Sequence, residues 1–230
     1  MSSSLLARTG RHRQRYENNV RLVSGCIPYR LIKDNDEQSN DDIENKIQVL
    51  MISSPNRTDL VFPKGGWEDD ETVFEAACRE AIEEAGVKGI LREVPLGVWH
   101  FRSKSRQDPC SLEGGCKGFM FALEVTEELE TWPEQENHDR KWLNIKEAFE
   151  FCRYEWMREA LRNFLRVMEE KKKVETIREE IVELSSVPIP EIVEECSLLS
   201  TNCCVKPVSV NHNGIIPFTW QIPLKGFPLT

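Results

Sequence analysis

Three glutamates lie within five residues of one another in this chain: Glu80, Glu83 and Glu84, in the run "REAIEEAG". If the run is helical, Glu80 and Glu84 stand one turn apart and project side by side. Like charges at that spacing destabilise an exposed helix by a few tenths of a kcal/mol per pair. A solvated acidic helix usually intersperses Lys or Arg, yet Arg79 is the only basic residue between Glu71 and Val87. Two readings fit. One is an ordinary solvated acidic face. The other is a carboxylate set for a hard divalent cation such as Mg²⁺, which takes one or two carboxylates together with water and substrate phosphate.

The residues that must position these carboxylates begin at "PKGGWEDDET". Asp70 or Thr72 can cap the helix start, and Gly86 stands where a left-handed C-terminal cap is expected. With Phe74 at zero and about 100° per residue, Phe74, Ala77, Cys78, Ala81 and Ala85 share an arc of roughly 100°, a core face of mostly small residues. On the same wheel Glu80, Glu83 and Glu84 fall at about 240°, 180° and 280°, one acidic arc beside that face. Gly65 and Gly66 follow a strand signal and a proline, where the backbone can approach a ligand closely. "KGGW" lacks the GxxxxGK[ST] spacing of a Walker A loop.

Strands are expected at 20–32, 47–54, 60–63, 96–103, 117–125 and 141–145, with exposed connections at 33–46 and 103–116. Helical period runs from about 145 to 184, and 186–230, with six prolines between Pro188 and Pro228, is expected to be a tail. The division predicted is a basic N-terminal segment over 1–17, one catalytic domain over 18–172, and a helical extension and tail over 173–230. Strands mixed with two helical segments, without a regular βαβ series, predict an α+β or α/β sandwich.

The chain has 230 residues and a formal net charge of −9, which argues against general nucleic-acid binding. No apolar run approaches the roughly 18 residues of a membrane span. The eight cysteines form no CxxC pair, so a zinc site is weakly supported and reduced thiols are expected. The first sixteen residues carry Arg8, Arg11, Arg13 and Arg15 and no acid. That composition fits a mitochondrial or plastid transit peptide, or else a basic tail or phosphate-contacting arm.

Gly65, Glu71, Arg79, Glu80, Glu83, Glu84, Gly86 and Val87 reproduce the Nudix box, G-x5-E-x7-R-E-U-x-E-E-x-G-U, with Ala81 as the one soft departure. Beyond the box, "RLVSGCIPYR", "FALEVTEELETWPE" and "RKWLNIKEA" resemble the diadenosine and diphosphoinositol polyphosphate phosphohydrolase branch, above all its plant members, several of them mitochondrial. The resemblance covers roughly 15–170. It implies an α/β/α sandwich around a mixed sheet, with Mg²⁺ or Mn²⁺ assisting attack of water on phosphorus. It also implies that Glu80 and Glu84 are metal ligands, with Glu83 among them and acting as general base. Arg79 and Glu71 would then orient the carboxylates.

The substrate expected from it is a diadenosine polyphosphate such as the penta- or hexaphosphate. The alternatives are a diphosphoinositol polyphosphate, or a Nudix-fold binding module without turnover. For a polyphosphate the sequence offers Lys64, Arg57, Arg21, Lys104 and Lys117 as cations, with Ser53, Ser54, Gly65 and Gly66 as hydrogen-bonding positions. Trp67, Trp99 and Phe101 are either adenine-stacking rings or core. His100 and His138 have no spacing that argues for catalysis. The location expected is mitochondrial, with the cytoplasm as the alternative.

Overall fold

A computed structural model describes residues 6–32, 43–102 and 114–185. Its centre is an eight-stranded mixed sheet. The strands are β1 (Tyr16–Glu17), β2 (Val20–Leu31), β3 (Ile47–Ile52), β4 (Lys64–Gly66), β5 (Val87–Leu91), β6 (Gly97–Arg102), β7 (Gly115–Glu128) and β8 (Arg140–Asn144). The path β5-β7-β2-β3-β8 forms the spine, with β1 and β4 also pairing with β2 and β6 with β7. Only β2 and β7 run parallel among these pairs, and their ladder extends from Arg21↔Cys116 to Tyr29↔Glu124.

Strand β2 is central and contains Pro28, although proline lacks the N–H a ladder uses. On the flank away from β7, β4 releases the strand at Gly25 and β3 takes it up at Tyr29, so Pro28 falls in the changeover. Cys26, Ile27 and Tyr29 are fully buried beside it. Long buried runs in β2, β3 and β7 reflect cover on both faces.

Three helices accompany the sheet: α1 (Val73–Ala85), α2 (Ile145–Phe151) and α3 (Glu155–Ser185). Ala77, Ala81 and Ala85 of α1 are fully buried, and Phe74 and Cys78 pack on the same core. Small residues there let the helix lie close to the sheet. From α3, Met157, Ala160, Leu161 and Phe164 enter the core, Phe164 tilting against Tyr29 at 5.1 Å between ring centres.

Several expectations change. The stretch 60–63 makes only isolated bridges, Ile52↔Val61 and Leu60↔Cys152, rather than a strand. The helix expected over 145–184 is two helices, because Cys152 leaves helical geometry at φ −64° and ψ 120°. The apolar stripe continues across that break, so period alone hid it. Strand β5 was not foreseen, since Gly89 weakens its pattern and the ladder shifts register between Lys88 and Gly89. Lys64–Gly66, which lay outside the expected strands, is a short strand against Val23–Gly25. Helix α3 runs on past position 172, and Gln14 pairs with Glu68 ahead of position 18.

Candidate active site

Helix α1 starts at a full capping box. Thr72 accepts from the Glu75 N–H at 3.2 Å, and the Glu75 carboxylate accepts from the Thr72 N–H at 2.7 Å. Thr72, not Asp70, is therefore the cap. The helix ends at Gly86, whose φ of 64° is the left-handed geometry expected of a glycine there. These ends place the glutamates of α1 against β4 and the loop before the helix.

Arg79 organises that face. Its Nε and Nη2 donate to the two Glu71 oxygens at 2.9 and 2.8 Å, a bidentate pair. Nη2 also donates to the Gly66 carbonyl at 2.9 Å, which ties helix to loop. Nη1 donates to Glu80 at 2.7 Å and Glu83 at 3.0 Å. Glu84 turns the other way and accepts the Lys64 N–H at 2.7 Å. The acidic arc is thus not a solvated face: Glu80 and Glu83 are only 7% and 6% exposed.

Burial pushes Glu80 up to about 8, and the neighbouring Glu84 charge pushes the same way against Arg79. Burial also raises Glu83 and Glu84, opposed by Arg79 in the first case and by the charge and N–H of Lys64 in the second. Burial works against the Arg79 charge, but the bond to Glu71 and the charge of Glu80 outweigh it and hold the guanidinium above its ordinary value.

Glu134 and His138 complete the group; sequence reasoning passed over Glu134 and set His138 aside for want of a partner spacing. One ligand atom each from Glu84, Glu134 and His138 lie within 4.8 Å of one another. The His138 Nδ1 faces the Ser53 carbonyl at 2.7 Å, which leaves Nε2 toward Glu134 at 3.4 Å. Burial lowers the His138 pKa, but the bonds to Glu134 and Ser53 reverse this and the net shift is upward. Their segment is fixed to α1 by the Glu134 N–H donating to the Glu83 carbonyl at 3.0 Å. An acid and an imidazole four residues apart in a short loop was the available signal.

Gly65 and Gly66 lie on β4, ahead of α1. Gly65 lies directly against the Glu80 carboxylate. Ser53 serves the site indirectly: its hydroxyl accepts from the Asp139 N–H at 3.0 Å, and its carbonyl orients His138. The Ser54 carbonyl accepts the Arg57 N–H at 3.2 Å. The cations divide. Lys64 borders Glu84. Arg57 is held bidentate by Asp59 at 2.8 and 2.7 Å, Lys117 pairs with Glu17 at 2.6 Å, and Arg21 donates to Gln14 at 3.1 Å. Lys104 lies outside the described residues. Phe101 stacks on Trp156 at 4.6 Å, Trp99 lies 6.1 Å from Trp156, and Trp67 packs edge-on to Phe119. These rings face protein, the core reading.

A cavity of about 300 Å³ opens beside α1, lined by Leu6, Glu75, Cys78, Arg79, Ile82, Glu83 and Pro133. It brings space to the outer side of Glu83 and Arg79.

Comparison with known proteins identifies the family. A family model described as the NUDIX domain matches residues 40–166. Nudix hydrolase 13, mitochondrial, of Arabidopsis thaliana is 68% identical over 188 residues, covering 80% of this chain and 92% of the relative. Nudix hydrolase 12, mitochondrial, of the same plant is 66% identical over 189 residues, with the same coverage. A solved C. elegans Ap4A hydrolase is 19% identical with a TM-score of 0.47, covering 65% of this chain and 98% of that one.

Proposed function

We propose, for a chain that belongs to the Nudix hydrolase family, that it cleaves phosphoanhydride bonds of diadenosine polyphosphates with Mg²⁺ or Mn²⁺. The family membership makes it a hydrolase of pyrophosphate bonds, and its location is mitochondrial, as in the names of its relatives. No helix among the described residues is long and apolar enough to cross a membrane.

The observation that carries the metal reading is three neighbouring glutamates of α1, Glu80 and Glu83 buried and Glu84 half-buried, all with raised pKa values. Carboxylate oxygens are the donors that hard divalent cations take, and an added imidazole suits Mn²⁺ as well. The residues therefore fit such an ion: Glu80, Glu83 and Glu84 would hold it, with Glu134 and His138 at its edge. When bound, the ion neutralises phosphate charge and makes a coordinated water more acidic.

The side chains then divide the work. Glu83, with its pKa raised by burial, is suited to take the proton of the attacking water. Arg79 sets the orientation of Glu80 and Glu83 through the bonds on its Nη1. Lys64 stands beside Glu84 at the edge of the carboxylates, where its ammonium supplies positive charge for the phosphate chain. His138 and Ser53 lock the loop that carries Glu134.

The diadenosine assignment rests on the likeness of "RLVSGCIPYR" and "FALEVTEELETWPE" to that branch. Incubation of the purified protein with diadenosine penta- and hexaphosphate in Mg²⁺ or Mn²⁺, followed by chromatography, tests it. Turnover is expected, and Glu80→Gln or Glu84→Gln should lower kcat by about a hundredfold or more. Cleavage of a diphosphoinositol polyphosphate alone would move the substrate to the alternative branch. Binding without any turnover would remove the enzyme reading.

A further inference from the structure

The basic N-terminal segment does not lie apart from the site. The Arg15 N–H donates to the Trp67 carbonyl at 2.8 Å, and the Asp69 N–H donates to the Arg13 carbonyl at 2.8 Å. Gln14 bridges to Glu68 between them. The segment 13–15 thus adds a short antiparallel rung to the loop that leads into α1. Gly66 makes room for it: a Cβ there would lie 2.3 Å from the Gln14 side-chain nitrogen.

The loop carries Glu68, Asp69, Asp70 and Glu71 in succession. Four adjacent carboxylates repel, and the arm supplies the cations. Arg13 pairs with Asp69 at 3.1 Å and Asp70 at 2.8 Å. Arg15 donates to the Glu68 and Asp69 carbonyls at 2.9 and 2.8 Å and lies over the Trp67 ring at 4.9 Å. Arg8 reaches furthest. Its Nη1 donates to Glu68 at 2.7 Å and Asp70 at 2.9 Å, and stands 3.8 Å from Glu71. Its backbone N–H donates to Glu83 at 3.2 Å. One residue therefore touches both the loop and a carboxylate of α1. Just before it, Leu6 forms part of the cavity wall next to Glu83.

We propose that residues 8–17 are a clamp on the catalytic loop that the working enzyme retains, with Arg8 as a positioning residue for Glu83 and, through Glu71, for Arg79. This rests on the Nudix reading of the site. The arrangement excludes a leader cut at position 17. Processing ahead of Arg8 is compatible with it.

The test compares the full chain with Arg8→Ala and with a protein lacking residues 2–14. Mn²⁺ binding is read by calorimetry without substrate, and kcat and KM are read separately. Arg8→Ala keeps the backbone N–H that meets Glu83 and removes the guanidinium contacts to Glu68, Asp70 and Glu71, so it tests the route through Glu71 to Arg79, while the shortened chain removes both. Loss of that charge-assisted set predicts about a tenfold fall in kcat, KM within about threefold, and Mn²⁺ bound about tenfold more weakly. A merely structural role would lower the fraction of protein that binds, not its Kd. A cover over the site would act in the opposite sense: removing the arginine would tighten Mn²⁺ binding by relieving charge repulsion, and activity would rise. Tighter binding, higher activity, or unchanged constants in Arg8→Ala each overturn the proposal. If the shortened chain does not fold, Arg8→Ala decides alone. The Mn²⁺ titration needs no substrate, so inactivity on every substrate removes the enzyme reading while leaving the clamp decidable. Active protein isolated from mitochondria should begin at or before Arg8, and a later start overturns the clamp.

Discussion

Gly65→Ala is the sharpest probe of the site, because the displaced atoms and the distance are both defined. A Cβ at Gly65 would lie 2.2 Å from the Glu80 carboxylate carbon, where ordinary contact begins at 3.4 Å. The carboxylate must therefore retreat by about 1.2 Å or β4 must move. Neither is free: Glu80 is bonded to Arg79 at 2.7 Å, and β4 is laddered to β2 through Gly65↔Ser24. Forcing a methyl into such packing costs about 1–3 kcal/mol. In a domain of this size that lowers Tm by roughly 2–4 °C per kcal/mol. The effect on chemistry should be larger, since misplacing a reacting group by about 1 Å costs on the order of a hundredfold. Thermal melts and kcat at saturating Mn²⁺ measure the two separately. A Gly65→Ala protein with kcat within about twofold of the parent would refute the placement of Glu80 in the reacting set.

Other substitutions bear on separate links. Arg79→Lys keeps the charge but loses the fork to Glu71 and the reach to Gly66, so kcat should fall about ten- to a hundredfold, and a smaller loss in steady-state kinetics would show the fork to be dispensable. Asp59 is held below the ordinary carboxylate range by its hydrogen bond to Arg57 and then by Arg153. Because its folded pKa is depressed, its contribution is present above the unfolded value near 3.8 and is lost as pH falls below it. Asp59→Asn should therefore lower Tm at pH 7, with the gap to the parent closing below about pH 4 in melts across pH. Mn²⁺ at about a hundred times its Kd should stabilise the parent by about 2.7 kcal/mol, and Glu84→Gln should largely abolish that shift in a thermal scan.

The sequence was most legible where function depends on local spacing. The positions from Gly65 to Gly86 sit on one loop and one helix, so the helical wheel placed Ala77, Ala81 and Ala85 inward and grouped the glutamates. It did not show that the glutamates are buried, because that depends on β4 and Arg79 closing over them. Glu134 and His138 stand 50 or more residues beyond Glu84, and only the return of the chain along β7 brings them near. Arg57 and Lys117 read as substrate cations because the sequence cannot show that Asp59 and Glu17 already hold them. On composition the basic start fitted a leader, a tail or an arm alike, because its partners Asp69 and Asp70 lie more than fifty residues away.

The charges of the site explain why one ion and one arm both belong to it. Glu71, Glu80, Glu83 and Glu84 bring four negative charges against Arg79 and Lys64, a deficit of two positive charges. Burial makes each unbalanced carboxylate costly, which pushes Glu80, Glu83 and Glu84 above the ordinary carboxylate range. A divalent ion matches the deficit without adding a donor that would compete with Arg79. The loop before α1 has the same excess, yet it meets Arg8 and Arg13 instead of a metal. Side-chain reach separates the two solutions: the guanidinium groups of Arg8 and Arg13 come in from the N-terminal segment over Asp69 and Asp70, while Glu80 and Glu83 are held by Arg79 on α1. Arm docking and ion binding thus draw on one acidic segment, whose exposed carboxylates Asp69 and Asp70 meet arginines while Glu80 and Glu83 of α1 are buried beside Arg79.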